Sequence, residues 1–150
     1  MLSVSYSVTI NRPIEEVFAF IAEPKNNKRW QNGVTVSEAI NTGPIGLGTR
    51  VRVVRMVMGR RFESEFETTL FEPNVQFAFK TVTGPVPLEA TVSVSAIQDG
   101  STKVTLSGQA DTGAGDGLAG MMVKMMVKSQ IETDAKALKK LLESNADTAV

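Results

Sequence analysis

The sequence contains neither cysteine nor histidine, and these two absences exclude several kinds of chemistry. Without cysteine, the chain has no disulfide, no thiolate nucleophile and no cysteine-ligated zinc. Without histidine, it lacks the commonest general base and the commonest side-chain metal ligand. Serine–histidine–aspartate triads are excluded for the same reason. We therefore expect no metal, no cofactor and no catalytic residue of these kinds.

A surplus of either charge is also absent, because 16 basic side chains balance 16 acidic ones. Proteins that bind nucleic acid normally present a basic surface, so no nucleic-acid partner is expected. Arginines do concentrate in one stretch, where they alternate with apolar residues or lie at a turn. That pattern is typical of a solvated strand face, and the residues concerned are Arg50, Arg52, Arg55, Arg60 and Arg61.

Long hydrophobic runs are missing as well. No stretch approaches the roughly 20 apolar residues that span a bilayer, and the first ten residues alternate rather than resembling a signal peptide. The sequence therefore predicts no stable membrane insertion and a cytoplasmic protein, and the absence of cysteine fits a reducing compartment. With 150 residues, of which 42% are hydrophobic, the chain is expected to form a single domain over residues 1–150.

Strand-like alternation opens the chain over residues 3–10, where Val4, Tyr6, Val8 and Ile10 share one face. A helix is predicted next, with Asn11 as its N-cap, and residues 25–30 fit a second, short helix. Six more segments alternate as strands do and are separated by turn residues. These segments are 34–40, 50–58, 61–71, 75–82, 88–97 and 102–110.

Helical periodicity returns at the end of the chain, over residues 118–142, with Asp116 as a candidate N-cap and 144–150 as a frayed tail. Consecutive strands joined by short turns should be antiparallel neighbours. One face of each strand is apolar and needs a cover, which only this long helix can supply. The expected fold class is α+β: a curved antiparallel sheet of about seven strands around a long C-terminal helix, with two short helices after the first strand.

The strand over residues 61–71 carries Phe62, Ser64, Phe66, Thr68 and Leu70 on one side. Its other side carries three glutamates, Glu63, Glu65 and Glu67. Carboxylates in such a row could perform acid–base chemistry if burial raised one pKa. A solvated outer face is the simpler interpretation, and it is the one preferred here.

Four segments resemble a known family. They are Asn-Arg-Pro-Ile-Glu-Glu-Val-Phe-Ala-Phe-Ile-Ala at 11–22, with Glu23-Pro24 and Lys28-Arg29-Trp30 after it, and Gly-Pro-Ile-Gly-Leu-Gly-Thr at 43–49. Together with the element order, they resemble the SRPBCC superfamily of START-like, birch-pollen-allergen-like and polyketide cyclase/dehydrase-like proteins. The resemblance covers residues 3–143. It implies a helix-grip fold with a cavity between the helix and the concave face, in which members bind lipids, sterols or polyketides.

Side chains that would face such a cavity are the candidate ligand-binding residues. Aromatic and methionine side chains would supply an adaptable apolar lining, and hydroxyl groups could orient the ligand. Each of them could equally be ordinary core, and Trp30 is preferred as a residue that pins the short helix to the sheet. The candidates are Tyr6, Trp30, Phe62, Ser64, Phe66, Phe77, Phe79, Val92, Met122, Met125 and Met126.

The preferred functional hypothesis is a protein, monomeric or homodimeric, that binds a small hydrophobic molecule without catalysis. Two alternatives remain open. The first is a polyketide cyclase or dehydratase, which the resemblance implies and which would have to use Tyr6, a buried carboxylate or substrate positioning. The second is a protein-interaction module that uses a sheet edge or the methionine-rich helix.

Overall fold

A computed structural model describes residues 2–113, 115 and 117–144. Seven strands lie in these residues: β1 (Leu2–Ile10), β2 (Val34–Ala39), β3 (Arg50–Val57), β4 (Arg60–Glu72), β5 (Gln76–Thr83), β6 (Leu88–Ile97) and β7 (Ser101–Ala110). The helices are α1 (Ile14–Ala22), α2 (Asn27–Trp30), which follows a 3-10 turn at Pro24–Asn26, and α3 (Gly117–Ser144). The predicted cap Asp116 and residues 145–150 of the predicted tail lie outside the described residues, whereas Ser144 is the last residue of α3.

The strands form one antiparallel sheet in the order β1-β7-β6-β5-β4-β3-β2. Strands β2 to β7 follow chain order because short turns connect them. The first strand closes the other edge against β7, so the two ends of the strand sequence are neighbours. α3 packs mainly along β1 and α2. This arrangement confirms the predicted helix-grip fold, with its curved seven-stranded sheet and two short helices after β1.

Cross-strand pairing separates the concave face into rows. One inner row joins Phe77, Val92, Leu106 and Tyr6, and the next joins Phe79, Ala90, Gly108 and Val4. The first row carries large side chains, and two residues of the second are small. The concave face is therefore filled on one side of this boundary and roomier on the other.

A β-bulge in β4 corrects one sequence prediction. Alternation predicts Leu70 on the same side as Phe66, but the register between β4 and β5 shifts between Thr68 and Leu70. An extra residue reverses the alternation that follows it. Phe71, paired with Phe77, consequently faces inward and makes an edge-on contact with Phe18 at 5.6 Å between ring centroids.

The entrance to α1 also differs from prediction. Asn11 is not the cap of the helix, because Pro13 occupies the N-cap position and no side chain caps it. The backbone N–H of Asn11 instead donates to Glu143 Oε2 at 2.7 Å, and its side-chain oxygen accepts from Ser101 Oγ at 3.1 Å. The extended backbone at Pro13 makes α1 begin two residues later than it would with Asn11 as its cap. Asn11 instead links the segment before α1 to the end of α3 and to β7.

The core lies beneath the C-terminal half of α3. Leu138 and Leu142 are fully buried there, and they belong to one cluster with Val104 of β7, Val17 of α1 and Ile10 of β1. Burial of a leucine side chain contributes about 1.5–3 kcal/mol. This half of α3 is therefore held firmly against the sheet, and it fixes the position of the other half.

Candidate binding groove

The N-terminal half of α3 is exposed, in contrast to its C-terminal half. Four methionines in two turns of the helix show more than half of their surface: Met121, Met122, Met125 and Met126, at 62%, 60%, 70% and 55%. With 3.6 residues per turn, Met122 and Met125 point about 160° and about 140° away from Leu138, so they do not continue the buried stripe. The half-buried side chains of Val123 and Val127 continue that stripe instead.

A groove of about 630 Å³ lies between this half of α3 and the β3–β4 hairpin. Methionine side chains supply most of its apolar surface from both sides, and polar residues lie at the Gln130 end. The lining residues are Asn32, Met56, Val57, Met58, Met122, Met125, Met126, Ser129, Gln130 and Thr133. The groove has the size and mixed character of small-molecule sites.

Backbone geometry places the groove's second wall. The hairpin turn consists of Met58 and Gly59, whose φ angles are 52° and 78°, between the paired residues Val57 and Arg60. Two consecutive left-handed residues match the twist of a tight hairpin. Gly33, with φ of 85°, accepts a hydrogen bond from the N–H of Met56, and a Cβ at this position would overlap the carbonyl oxygen of Met56. Only glycine therefore brings the α2–β2 loop, and Asn32 with it, against the hairpin.

A buried ion pair lies next to the polar end of the groove. Asp134 of α3 is 4% exposed, and its Oδ2 accepts from Arg55 Nη2 at 2.8 Å. Its Oδ1 accepts from the backbone N–H of Asn32 at 2.9 Å and from Gln130 Nε2 at 3.1 Å. A buried carboxylate needs such partners to offset its lost hydration. The cluster holds the two groove residues Asn32 and Gln130 in place.

Sequence reasoning missed this cluster. The assignment of Arg55 to a solvated strand face with the other arginines is wrong, because Arg55 pairs with buried Asp134. Two features of the sequence indicate this cluster. Arg55 lies an odd number of positions from Arg52, so the two arginines are on opposite faces of β3. Asp134 lies within the buried helical stripe that includes Leu138.

The remaining arginines of β3 do lie on the exposed face with the three glutamates. Arg52 Nε donates to Glu63 at 2.8 Å, and Arg50 contacts Glu65 and Glu67 at 3.0 and 3.3 Å. The hydrogen bond from Arg52 is the main reason that the pKa of Glu63 lies below its ordinary value. A lowered pKa keeps the carboxylate ionised, which is the opposite of what a general acid requires. These glutamates form an outer ion-pair ladder, as preferred from the sequence.

The structure distributes the eleven predicted ligand-binding residues over three places. Met122, Met125 and Met126 line the groove. Trp30, Val92, Tyr6 and Phe77 belong to or pack against the core cluster. Phe62, Ser64, Phe66 and Phe79 are half-buried on the concave face outside the groove lining, and Phe66 and Phe79 meet edge-on at 5.4 Å. Their roles toward a ligand remain predictions.

Sequence reasoning did not include the groove's other residues, from Asn32, the β3–β4 hairpin and the polar side of α3. Alternation alone assigns both Met56 and Met58 to a strand. It gives no signal that the hairpin turn after this strand brings their exposed side chains toward α3.

Three further observations concern the described residues. Among the described residues, no group of three acidic side chains is placed to hold a metal ion. Within the same residues, no helix combines the length and apolar character that crossing a membrane requires. The indole Nε1 of Trp30 is the one buried side-chain nitrogen or oxygen there that lacks a hydrogen-bond partner.

The sequence over residues 1–143 matches the family model described as polyketide cyclase / dehydrase and lipid transport. The chain belongs to this family. Its membership confirms the expected placement in the SRPBCC superfamily, because the matched region includes all the strands and nearly all of α3. Curated proteins offer no match to the sequence.

Solved structures agree with the fold. A START superfamily protein from Mycobacterium smegmatis superposes with a TM-score of 0.81 at 16% identity, covering 96% of this chain and 99% of that one. The Zhui aromatase/cyclase from Streptomyces sp. R1128 gives 0.80 at 19% identity, with 99% and 98% covered. Ara h 8.0201 gives 0.72 at 17% identity, with 95% and 98% covered. Identities this low establish a shared architecture.

Proposed function

We propose that this protein binds a small hydrophobic molecule in the groove between the N-terminal half of α3 and the β3–β4 hairpin. The observation that carries the proposal is the pair of facing methionine walls around about 630 Å³ of unfilled space. Thioether side chains are flexible and polarizable, so they adapt to apolar ligands of different shape. The family's description, which names lipid transport, supports the same function.

The ligand should be amphipathic, with a largely apolar body and one polar end. Met122, Met125 and Met126 would contact the body, while Asn32, Gln130 and neighbouring hydroxyl groups would meet a hydroxyl or carbonyl. A few placed polar groups in an apolar site fix the orientation of a ligand. Lipids, sterols and polyketide-like aromatics all have this chemistry.

Asp134 favours binding over acid–base catalysis. Both of its oxygens already accept hydrogen bonds, from Arg55 on one side and from Asn32 and Gln130 on the other. A carboxylate with its acceptor sites occupied is poorly placed to take a proton from a substrate. Its role is to hold the polar wall of the groove.

A thermal-shift assay with oleic acid, cholesterol and an anthraquinone tests the proposal. A ligand present at about 100 times its Kd stabilises a protein by about 2.7 kcal/mol, which raises Tm by several degrees. Ser129→Trp should fill part of the groove and weaken binding at least about tenfold, the equivalent of about 1.4 kcal/mol. Ser144→Trp is the matched control, because it places the same side chain on the exposed end of α3. No shift with any of the three classes, or equal binding by both variants, would refute the proposal.

Cyclase or dehydratase chemistry is the second candidate, and the likeness in fold to an aromatase/cyclase is the observation that favours it. Asp134 is the buried carboxylate beside the groove that such chemistry could use. Incubation with a linear polyketone thioester, followed by mass spectrometry, separates the two candidates. A cyclised or dehydrated product that disappears in Asp134→Asn would establish catalysis, and an unchanged substrate that still stabilises the fold would establish binding alone.

A further inference from the structure

Six of the chain's seven methionines are exposed along one edge of the molecule. Met56 and Met58 lie on the β3–β4 hairpin and the other four on α3, with exposed fractions from 39% to 85%. Five of the six line the same groove, so the two segments are neighbours in space. We call this surface the methionine rim: Met56, Met58, Met121, Met122, Met125 and Met126. Contiguous exposed apolar surface marks an interaction site.

Charge is segregated at the rim, although the whole chain is neutral. Residues 56–61 and 117–129 supply Arg60, Arg61, Lys124 and Lys128 and no described acidic side chain. Arg61 pairs with Glu63 at 3.1 Å, whereas the other three form no ion pair with the described residues. After residue 117, the first acid of α3 is Glu132, and Lys136 already binds it at 2.8 Å. Asp111 is an acid close to the rim, because it lines a second pocket together with Met121 and Lys124. The rim therefore combines apolar side chains with an excess of positive charge.

Met58 occupies a position that turn geometry does not favour. Its φ of 52° is left-handed, a conformation that asparagine and glycine adopt far more readily in this type of turn. Its side chain is also 85% exposed, so it gains little from contacts within the protein. A strained backbone that holds an apolar side chain out in solvent is consistent with a role for that side chain outside the molecule.

We infer that the methionine rim docks reversibly on an anionic lipid bilayer. Apolar tips would enter the boundary between headgroups and acyl chains, while the cations contact anionic headgroups. A second copy of this chain is a poorer occupant, because pairing two rims would bring together two surfaces with an excess of positive charge. This docking does not require that the groove bind a ligand, although five residues of the rim also line the groove.

Co-sedimentation with vesicles tests the inference. The full chain is mixed with vesicles of phosphatidylcholine alone or of phosphatidylcholine with phosphatidylglycerol, and the protein in the pellet is measured across salt concentrations. Binding that requires phosphatidylglycerol and weakens with added salt supports the inference. Equal binding to both vesicles, or none to either, overturns it.

Matched variants separate the two contributions. Lys124→Gln with Lys128→Gln should weaken vesicle binding about fivefold for each charge removed, whereas Lys80→Gln with Lys103→Gln, on other strands, should not. Met58→Asn should weaken binding while keeping or raising Tm, since asparagine suits the turn. Leu47→Ser is its control, because Leu47 is 73% exposed but distant from the rim in sequence. Equal losses in variants and controls would contradict a localised surface.

A second copy of the chain and a lipid drawn into the groove each predict a distinct result. Concentration-dependent dimers in analytical ultracentrifugation that Met125→Ser abolishes would assign the rim to a second copy and overturn the inference. Vesicle binding that Ser129→Trp abolishes would also overturn it, because extraction of a lipid into the groove would then cause the co-sedimentation. Unchanged vesicle binding by Ser129→Trp, together with loss in the lysine variant, supports docking independently of the proposed function.

Discussion

The two halves of α3 meet opposite surroundings, and their exposed and buried apolar side chains lie on different faces of the helix. From Asp134 to Leu142 the inward side chains are buried in the core beneath β1, β6 and β7. From Leu118 to Met126 the leucine and the four methionines are exposed, whereas Val123, on the face of Leu138, is half-buried. The closed half uses leucine side chains of fixed shape to hold the fold, and the open half presents flexible methionine side chains to solvent.

The cross-strand rows explain where the boundary falls. Large residues such as Phe77, Val92 and Leu106 fill the concave face opposite the closed half. The next row contains Ala90 and Gly108, which lack the volume to reach a helix. Asp134, paired with Arg55, lies at the transition and provides a polar end for the groove. The stretch of α3 that stabilises the fold therefore differs from the stretch at which we propose binding.

The largest contrast is expected between alanine substitutions in the two halves. Leu138→Ala should lower the free energy of unfolding by about 2–5 kcal/mol, because Leu138 is fully buried and leaves a cavity. Met125→Ala, at 70% exposure, should change it by no more than about 0.5 kcal/mol. Urea denaturation measures both. Similar losses would show that the open half also packs against the protein.

Breaking the ion pair at the boundary should have the next largest effect. Asp134→Ala leaves the guanidinium of Arg55 and the N–H of Asn32 without their acceptor, which should cost about 1–3 kcal/mol. The double variant Asp134→Leu with Arg55→Met should recover most of that loss, since an apolar pair can replace a buried ion pair. Arg52→Met is the control on the outer ladder, where loss of an exposed pair should cost less than about 1 kcal/mol. If Asp134→Ala were as mild as that control, the cluster would not hold the groove.

The smallest expected effect on stability concerns Glu143, near the C-terminal end of α3. The pKa of Glu143 is below its ordinary value of 4.5, mainly because Lys139 hydrogen bonds to it, and also because the N–H of Asn11 does. Stabilisation by a lowered pKa is complete above the ordinary value and is lost as the pH falls through the folded-state value.

Glu143→Gln should therefore be less stable than the natural chain at neutral pH, by up to about 1 kcal/mol. The difference should shrink well below the ordinary pKa of 4.5, where both side chains are neutral. Urea denaturation at the two pH values measures it. A difference that does not change with pH would mean that the carboxylate charge contributes nothing to holding the helix end.

Much of this fold could be predicted from the sequence, because alternation and turn residues act locally. The strands and helices were found within a few residues, and their antiparallel order followed from the short connections. The bulge at Thr68 and Leu70 and the true start of α1 were missed, since both depend on tertiary pairing. Phe71 consequently was not expected on the inner face.

The candidate site was less predictable for a physical reason. Apolar residues at helical spacing look alike in a sequence whether they face a packed core or open space, although Met122 and Met125 lie nearly opposite Leu138 around α3. Sequence reasoning therefore grouped core residues with groove residues. It also assigned Arg55 to an exposed face, because its partner is 79 positions away in the chain.

Methionine oxidation with and without ligand is the sharpest test of the open half of α3. Hydrogen peroxide should oxidise Met121, Met122, Met125 and Met126 readily in the free protein, since all four are exposed. A ligand found among oleic acid, cholesterol and the anthraquinone should protect Met122, Met125 and Met126, which line the groove, and leave Met121, which does not, unprotected. Mass spectrometry of peptides reads each site. Uniform protection of all four methionines, or none by any ligand that stabilises the protein, would contradict the assignment of this groove as the binding site.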